Sequence, residues 1–228
     1  MKFYDLDRAL RAGGRVTLLV RHAERPPLEP GDTTFGAALP ITSRGRETAR
    51  RFGMMLSHII DPRRVQFYAS STLRTVQTAE CIRAGLYPDG VEPEGEICLQ
   101  GVLGSDSPFF GSLDERMALI AEGRYRERLN DYFSSGMQRG YNSLAEATDR
   151  MESVLADIVD HSVGEFAIAV THDVNVACFL AGRKVETSFS EETWPYYLDA
   201  AVIIRSSQME SPRYDLLRWD RTFDTFDL

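Results

Sequence analysis

Residues 16–27 read VTLLVRHAERPP, a short apolar run that gives way to charged residues and prolines. The run Val16–Val20 follows Gly13-Gly14 and predicts a buried parallel strand. The stretch from Arg21 to Pro40 contains four prolines and predicts a loop. His22 is therefore expected at the carboxyl end of a buried strand, between two arginines.

Two later segments have the same organisation. Val65–Ala69 predicts a strand that leads into the loop Ser70–Arg74, and Glu165–Val170 predicts a strand that leads into Thr171–Asp173. The remaining predicted elements are helices at Ser43–Ile60, Leu73–Ala84, Leu113–Ala121, Tyr125–Phe133, Ser143–His161 and Val174–Ala181, and two neighbouring late strands at Ala200–Arg205 and Tyr214–Arg218. This alternation predicts an α/β fold with a mostly parallel sheet and helices on both faces.

Ligands of such sheets bind beyond the carboxyl ends of the strands, so the three loops are expected to meet in one site. Each loop carries an arginine, a histidine or both, which suits a phosphate monoester. The candidate residues are His22 as nucleophile, Arg21, Arg25 and Arg74 as a phosphate clamp, His172 as a further hydrogen-bond donor and Asp173 as an acid.

Each loop taken alone is a weak signal. A single histidine after a strand is more often structural than catalytic. The chain has only four histidines, however, and two of them end an apolar strand beside other charged groups. His58 and His161 lie near the ends of polar predicted helices and are given no role.

The motifs together resemble those of the histidine phosphatase superfamily. Leu19–Pro27, Ser70–Ala79 and Val170–Asp173 are similar to its three sequence blocks, in the same order, and Ile41–Gly45 is similar to the element that opens its first helix. The resemblance implies a three-layer α/β/α fold of phosphoglycerate-mutase type, a single domain over residues 1–228 with a small cap or insertion at about 87–142. It also implies that His22 is phosphorylated, with Arg21, Arg74 and His172 in the phosphate pocket.

The superfamily has two branches, which differ in the source of the acid. Arg25-Pro26-Pro27 and His172-Asp173 resemble the acid-phosphatase-like branch, in which the aspartate is the acid. The mutase-like branch takes its acid from a glutamate between the second and third blocks, and Glu94, Glu96 and Asp106 are the rival acids on that alternative. Ala23 stands where the family usually has glycine, a change that is tolerable only if φ is not positive.

Net charge, cysteine spacing and the lack of long apolar runs indicate which partners, location and cofactors to expect. The net charge of −8 and the pI near 5.1 argue against a nucleic-acid or anionic-membrane surface. No apolar run is long enough to span a membrane, the three cysteines show no C-x-x-C spacing, and the N-terminus shows no secretory pattern, so a cytoplasmic location is expected. The three loops offer cations and no cluster with metal-ligand spacing, which predicts activity without a metal or another cofactor.

The sequence thus predicts a phosphatase that acts on a phosphorylated small molecule or a phosphoprotein. Two alternatives stay open. A phosphomutase could use the same scaffold, and a non-catalytic phosphate-binding protein could keep it as well.

Overall fold

A six-stranded sheet forms the centre of the computed structural model, which describes residues 1–29, 32, 34–87, 96–160 and 165–219. The strands are β1 (Arg15–Arg21), β2 (Val65–Ala69), β3 (Cys98–Leu99), β4 (Phe166–Thr171), β5 (Ala200–Arg205) and β6 (Arg213–Leu217). Their order is β3-β2-β4-β1-β5-β6. Strands β1 to β4 are parallel, whereas β5 pairs antiparallel with β1 and β6 pairs antiparallel with β5. The predicted mostly parallel sheet is confirmed.

Helices cover both faces of this sheet. They are α1 (Phe3–Arg11), α2 (Ser43–Ser57), α3 (Leu73–Leu86), α4 (Leu113–Ala121), α5 (Tyr125–Ser135), α6 (Leu144–Asp160) and α7 (Asp173–Gly182). No helix in the described part of the chain is long and apolar enough to cross a membrane.

Neighbouring residues of β1 show how the three layers form. Leu18 packs into a core shared with α1, α2 and α3, whereas Leu19 packs into a second core shared with α4 to α7. Successive side chains of a strand point to opposite faces, so an unbroken apolar run suits a strand that is covered on both sides. The predicted three-layer α/β/α arrangement is confirmed.

Helices α2 and α3 pack closely because glycines stand at their contact. A Cβ atom on Gly53 would collide with the carbonyl oxygen of Ile82, and one on Gly85 would collide with the carbonyl oxygen of Arg50. Only hydrogen atoms fit between the two backbones at these points. This contact fixes the position of α3, whose first turn carries Arg74.

The stretch between α3 and α6 is where prediction from sequence was weakest. It contains the two-residue strand β3 and a 3-10 turn at Gly101–Leu103, neither of which was predicted. Helices α4 and α5 lie where they were expected, and Leu129 and Tyr132 of α5 pack into the same core as α6 and α7. Part of the predicted cap, residues 88–95, lies outside the described residues.

Candidate active site

Three loops meet at one edge of the sheet. They follow β2, β4 and β1, which are adjacent in the sheet and parallel, so their carboxyl ends lie side by side. The backbone N–H of His22 donates to the carbonyl oxygen of Thr171 at 2.9 Å, and that of Ser70 donates to Val170 at 3.1 Å. The structure therefore brings together the residues that the sequence placed in separate loops.

His22 is held in one tautomer. Its side chain is buried, and Nδ1 lies 2.8 Å from the carbonyl oxygen of Ala23. Because a carbonyl oxygen only accepts, Nδ1 carries the proton and Nε2 keeps a lone pair. Burial, and then the nearby His172 and the cations Arg74 and Arg21, hold the pKa of His22 well below its usual value. The imidazole is therefore neutral at neutral pH and free to attack through Nε2.

Ala23 is accommodated without strain. The non-glycine residues with positive φ in the described part of the chain are Phe35, Lys184 and Leu198, so Ala23 has ordinary backbone geometry. Its N–H donates to Oγ1 of Thr78 at 3.0 Å. The missing glycine therefore does not disturb the loop that presents His22.

Arg74 reaches into the site from the first turn of α3. Its side chain is buried, with Nη1 donating to the carbonyl oxygen of Gly36 at 2.6 Å and Nη2 donating to Nδ1 of His172 at 3.2 Å. Burial, and then the neighbouring charge of Arg25, lower the pKa of Arg74 to about 10. Arg74 is still a cation at neutral pH.

Two further arginines lie at the end of β1 and in the loop that follows it. Arg21 donates to the carbonyl oxygen of Pro195 at 2.6 Å and lies under the ring of Tyr197, with 4.3 Å from Cζ to the ring centroid. Arg25 is partly buried and donates to the carbonyl oxygen of Pro26 at 2.7 Å. Among the described residues, Arg25 makes no ion pair.

Both ring nitrogens of His172 have a hydrogen-bond partner. Nδ1 faces Arg74, and Nε2 lies 3.1 Å from Oγ of Ser70. Burial, and then the charge of Arg74, lower the pKa of His172 to about 3, although Asp173 acts in the opposite direction. His172 is thus a neutral residue in the free protein. The ring centroids of His22 and His172 are 5.5 Å apart.

Asp173 is the first residue of α7 and already has three partners. It accepts from its neighbour Val174 at 2.9 Å and from Nε1 of Trp194 at 3.1 Å, and it pairs with Nη2 of Arg21 at 3.3 Å. Burial raises its pKa, but Arg21, the Trp194 hydrogen bond and the two histidines together lower the pKa to about 2. Asp173 is a carboxylate in the free protein.

The rival acids occupy different places. Glu94 lies outside the described residues, and Glu96 is an exposed residue just before β3. Asp106 is also exposed, but its carboxylate lies against the Cα of Gly101, where a side chain would not fit. Gly104, in the same segment, packs against Ser70. Of the two described rivals, Asp106 is on the segment that borders the site.

The aromatic loop before β5 was not predicted from the sequence. Trp194 bonds to Asp173 and Tyr197 covers Arg21, yet neither belongs to the three predicted loops. The signal was available in the topology, because β5 is antiparallel to β1 and so begins where β1 ends. The loop is held there by Leu198, whose φ is +66° and whose N–H donates to the carbonyl oxygen of Arg21 at 3.1 Å.

The site offers charge to an anion and no ready place for a metal ion. Three arginines stand against two carboxylates, Asp173 and the more distant Asp32, and both histidines are neutral. Among the residues that the structure describes, no group of three or more His, Cys, Asp or Glu side chains is placed to hold a metal ion. This excess of positive charge is complementary to a phosphate dianion.

Comparisons with solved structures show the same fold. The phosphoserine phosphatase of Entamoeba histolytica in complex with 3-phosphoglyceric acid is 15% identical, with 87% of this chain and 94% of that chain covered and a TM-score of 0.54. A mycobacterial glucosyl-3-phosphoglycerate phosphatase is 15% identical over 90% and 98% of the two chains, with a TM-score of 0.53. YhfR of Bacillus stearothermophilus is 21% identical over 84% and 92%, with a TM-score of 0.53.

No protein with a curated description matches the chain in sequence. The sequence model of the histidine phosphatase superfamily (branch 1) matches residues 17–204, which include all three loops. The preference for the acid-phosphatase-like branch is not confirmed, since the matching model is that of branch 1. Because the match covers most of the chain, the protein belongs to the histidine phosphatase superfamily.

Proposed function

We propose that this chain is a phosphatase that hydrolyses phosphate monoesters through a phosphohistidine at His22. The proposal rests on the hydrogen bond from Nδ1 of His22 to the carbonyl oxygen of Ala23. That bond leaves the lone pair on Nε2, and burial keeps the imidazole neutral. A neutral imidazole beside three arginines is a nucleophile already placed in a phosphate site.

The reaction has two displacements at phosphorus. In the first, Nε2 of His22 forms a bond to phosphorus, the ester P–O bond breaks, and the leaving oxygen takes a proton to become an alcohol. In the second, water attacks phosphorus and the P–N bond breaks, which returns the lone pair to Nε2 and releases inorganic phosphate. The proton lost by the water replaces the one that the leaving group took.

The arginines stabilise charge on the phosphoryl oxygens in both steps. Arg74 and Arg21 are anchored by backbone carbonyls, Gly36 and Pro195 respectively, which fix where their guanidinium groups point. Donors that are already oriented need no reorganisation when charge develops in the transition state. Arg25 adds a third cation, which makes no ion pair with a described carboxylate, although Asp32 is near enough to interact with its charge.

Asp173 is the proton donor for the leaving oxygen in this proposal. As a carboxylate it must first gain a proton, and a bound phosphoryl dianion favours this by raising its pKa and by competing for Arg21. Trp194 and Val174 keep the carboxyl group in place during that change. Asp106 is the competing acid.

The substrate class that we propose is a phosphorylated small molecule. The names of two similar structures, a phosphoserine phosphatase and a glucosyl-3-phosphoglycerate phosphatase, are in keeping with that class. A purely phosphate-binding protein has no need of a neutral histidine whose Nε2 lone pair is free, which favours catalysis over binding alone.

A rapid-quench experiment tests the proposal. Radiolabelled substrate, quenched at alkaline pH, should leave acid-labile phosphate on His22, and the protein should hydrolyse p-nitrophenyl phosphate. His58→Gln is the matched control, because His58 is an exposed histidine at the end of α2. Label on a serine, an aspartate or His172 would contradict the proposal, and transfer to a second substrate in a parallel mutase assay would favour the mutase.

A further inference from the structure

Ser70 is a buried hydroxyl that the proposed reaction does not use. It directly follows β2. Its Oγ lies 3.1 Å from Nε2 of His172, 2.8 Å from Oγ1 of Thr75 and 3.2 Å from Oγ1 of Thr72. A Cβ on Gly104 would lie 2.9 Å from the Ser70 Cβ, so this side of Ser70 is closed by backbone. The serine is thus placed to control the ring of His172.

The direction of each hydrogen bond follows from Arg74. A guanidinium can only donate, so Nδ1 of His172 accepts from Arg74 and carries no proton. The neutral ring then has its proton on Nε2, which donates to Oγ of Ser70. The Ser70 hydroxyl donates onward to Thr75, whose own proton goes to the carbonyl oxygens of Ser70 and Thr72 at 2.9 and 2.8 Å.

In this arrangement Nδ1 of His172, the nitrogen next to Arg74, carries a lone pair and no proton. An oxyanion that takes Arg74 away would meet that lone pair directly, which is repulsive. The charged groups around His172 are Arg74, Arg21 and Arg25, which lower its pKa, and Asp173, which raises it, and neutral His22 lies beside the ring. A bound dianion offsets the three arginines, so it favours a proton on Nδ1.

We infer that Ser70 is a positioning residue: by accepting from Nε2 of His172 it holds the ring proton there, so that oxyanion binding, which releases Arg74 from Nδ1, takes up a second proton at Nδ1 from solvent. The lone pair of Nδ1 forms the new N–H bond, and Nη2 of Arg74 is released to the ligand. The N–H of Nδ1 then donates to the oxyanion while Nε2 continues to donate to Ser70. The inference rests on the proposed function in one respect: the oxyanion represents the phosphoryl group of the substrate.

Nuclear magnetic resonance of isotope-labelled imidazole nitrogens tests this in the intact protein, with tungstate as the probe. Tungstate stays a dianion across neutral pH, so its own protonation does not contribute. In the free protein His172 should carry its proton on Nε2 alone, and with tungstate both nitrogens should be protonated. The tungstate dissociation constant, measured in the Asp173→Asn background so that Asp173 takes up no proton, should rise about tenfold per pH unit across neutral pH, as uptake of one proton at His172 requires.

Ser70→Ala removes the acceptor, and Thr72→Val is the matched control because it removes a hydroxyl of the same network that does not touch His172. In free Ser70→Ala, Arg74 still keeps the proton on Nε2. In its tungstate complex the ring should be neutral, with a proton on Nδ1 alone, and the pH dependence should flatten, whereas Thr72→Val should keep both nitrogens protonated. An unprotonated Nδ1 in the wild-type tungstate complex, or a doubly protonated ring in the Ser70→Ala complex, would overturn the inference while phosphatase activity stands. Absence of both tungstate binding and hydrolysis would overturn the proposed function, and hydrolysis without tungstate binding would overturn the inference alone.

Discussion

Nδ1 of His22 lies 2.8 Å from the carbonyl oxygen of its own neighbour, Ala23. The tautomer of this histidine is therefore set within one dipeptide and needs no second side chain. The backbone of Ala23 is in turn held by Thr78, whose hydroxyl donates to the carbonyl oxygen of Arg74 at 2.7 Å. Orientation of the proposed nucleophile, His22, and of the proposed clamp residue Arg74 thus depends on the same turn of α3.

The neutral histidines should make the fold sensitive to mild acid. Both have a folded-state pKa below the value of about 6.5 for an unfolded chain. Below that pH the unfolded state binds more protons, so the free energy of unfolding should fall as the pH falls. Well below pH 6.5 the slope approaches about 1.4 kcal/mol per pH unit for buried His22, and His172 adds a contribution in the same direction.

Urea unfolding between about pH 7.5 and 5.5 measures this slope. His22→Gln should reduce the slope, and the exposed His58→Gln serves as the control that should leave it unchanged. Equal free energies of unfolding at both pH values would show that the histidines are not held neutral.

Arg74→Lys should lose activity without loss of folding. The guanidinium bonds to Gly36 and His172 through separate nitrogens, and one ammonium cannot reproduce that fork. Loss of such an oriented donor costs about 10²–10³-fold in rate, measured here as kcat/KM on p-nitrophenyl phosphate. Arg51→Lys, an exposed residue of α2, is the control. A lysine variant within a few-fold of wild type would mean that Arg74 does not contact the phosphoryl group.

Activity should not require a metal ion. Arginines supply the positive charge in the proposed site, so dialysis against EDTA should leave kcat/KM unchanged. Vanadate should inhibit, because it adopts a five-coordinate geometry at the attacking nitrogen. Loss of activity on chelation that Mg²⁺ or Zn²⁺ restores would refute this prediction.

Asp173→Asn separates proton donation from positioning. The amide oxygen can still accept from Trp194, so the loop should stay in place while the proton donor is lost. Hydrolysis of alkyl phosphates should fall by about 10²–10⁴-fold, because an alkoxide leaves poorly without a proton. Hydrolysis of p-nitrophenyl phosphate should persist, since its phenolate leaves without help.

Asp106→Asn is the matched variant for this test. If Asp173→Asn hydrolyses both kinds of substrate at wild-type rates and Asp106→Asn fails on alkyl phosphates, the acid is Asp106. Asp173 would then serve to hold Arg21 through their ion pair.

Strands β1, β2 and β4 were predictable because each is an apolar run that ends in charged or polar residues. The amphipathic helix α1 was not predicted, and β3 is only two residues long, too short for any periodic pattern. Ser70 stood in a recognised motif, yet its partner His172 lies far away in the sequence, between β4 and α7. Which nitrogen of His172 carries the proton depends on that contact and on Arg74, so spacing along the chain could not reveal it.

Because β5 pairs antiparallel with β1, the site has two parts that differ in how freely their sequence and length can change. The proposed phosphate pocket is built from the ends of parallel strands, whose positions are tied to the core of the sheet. The wall that carries Trp194 and Tyr197 is instead a connection between α7 and β5, and it can lengthen or shorten without altering strand register. Natural selection for substrates with a different leaving group can therefore alter this connection, while the residues proposed to break the P–O bond stay the same.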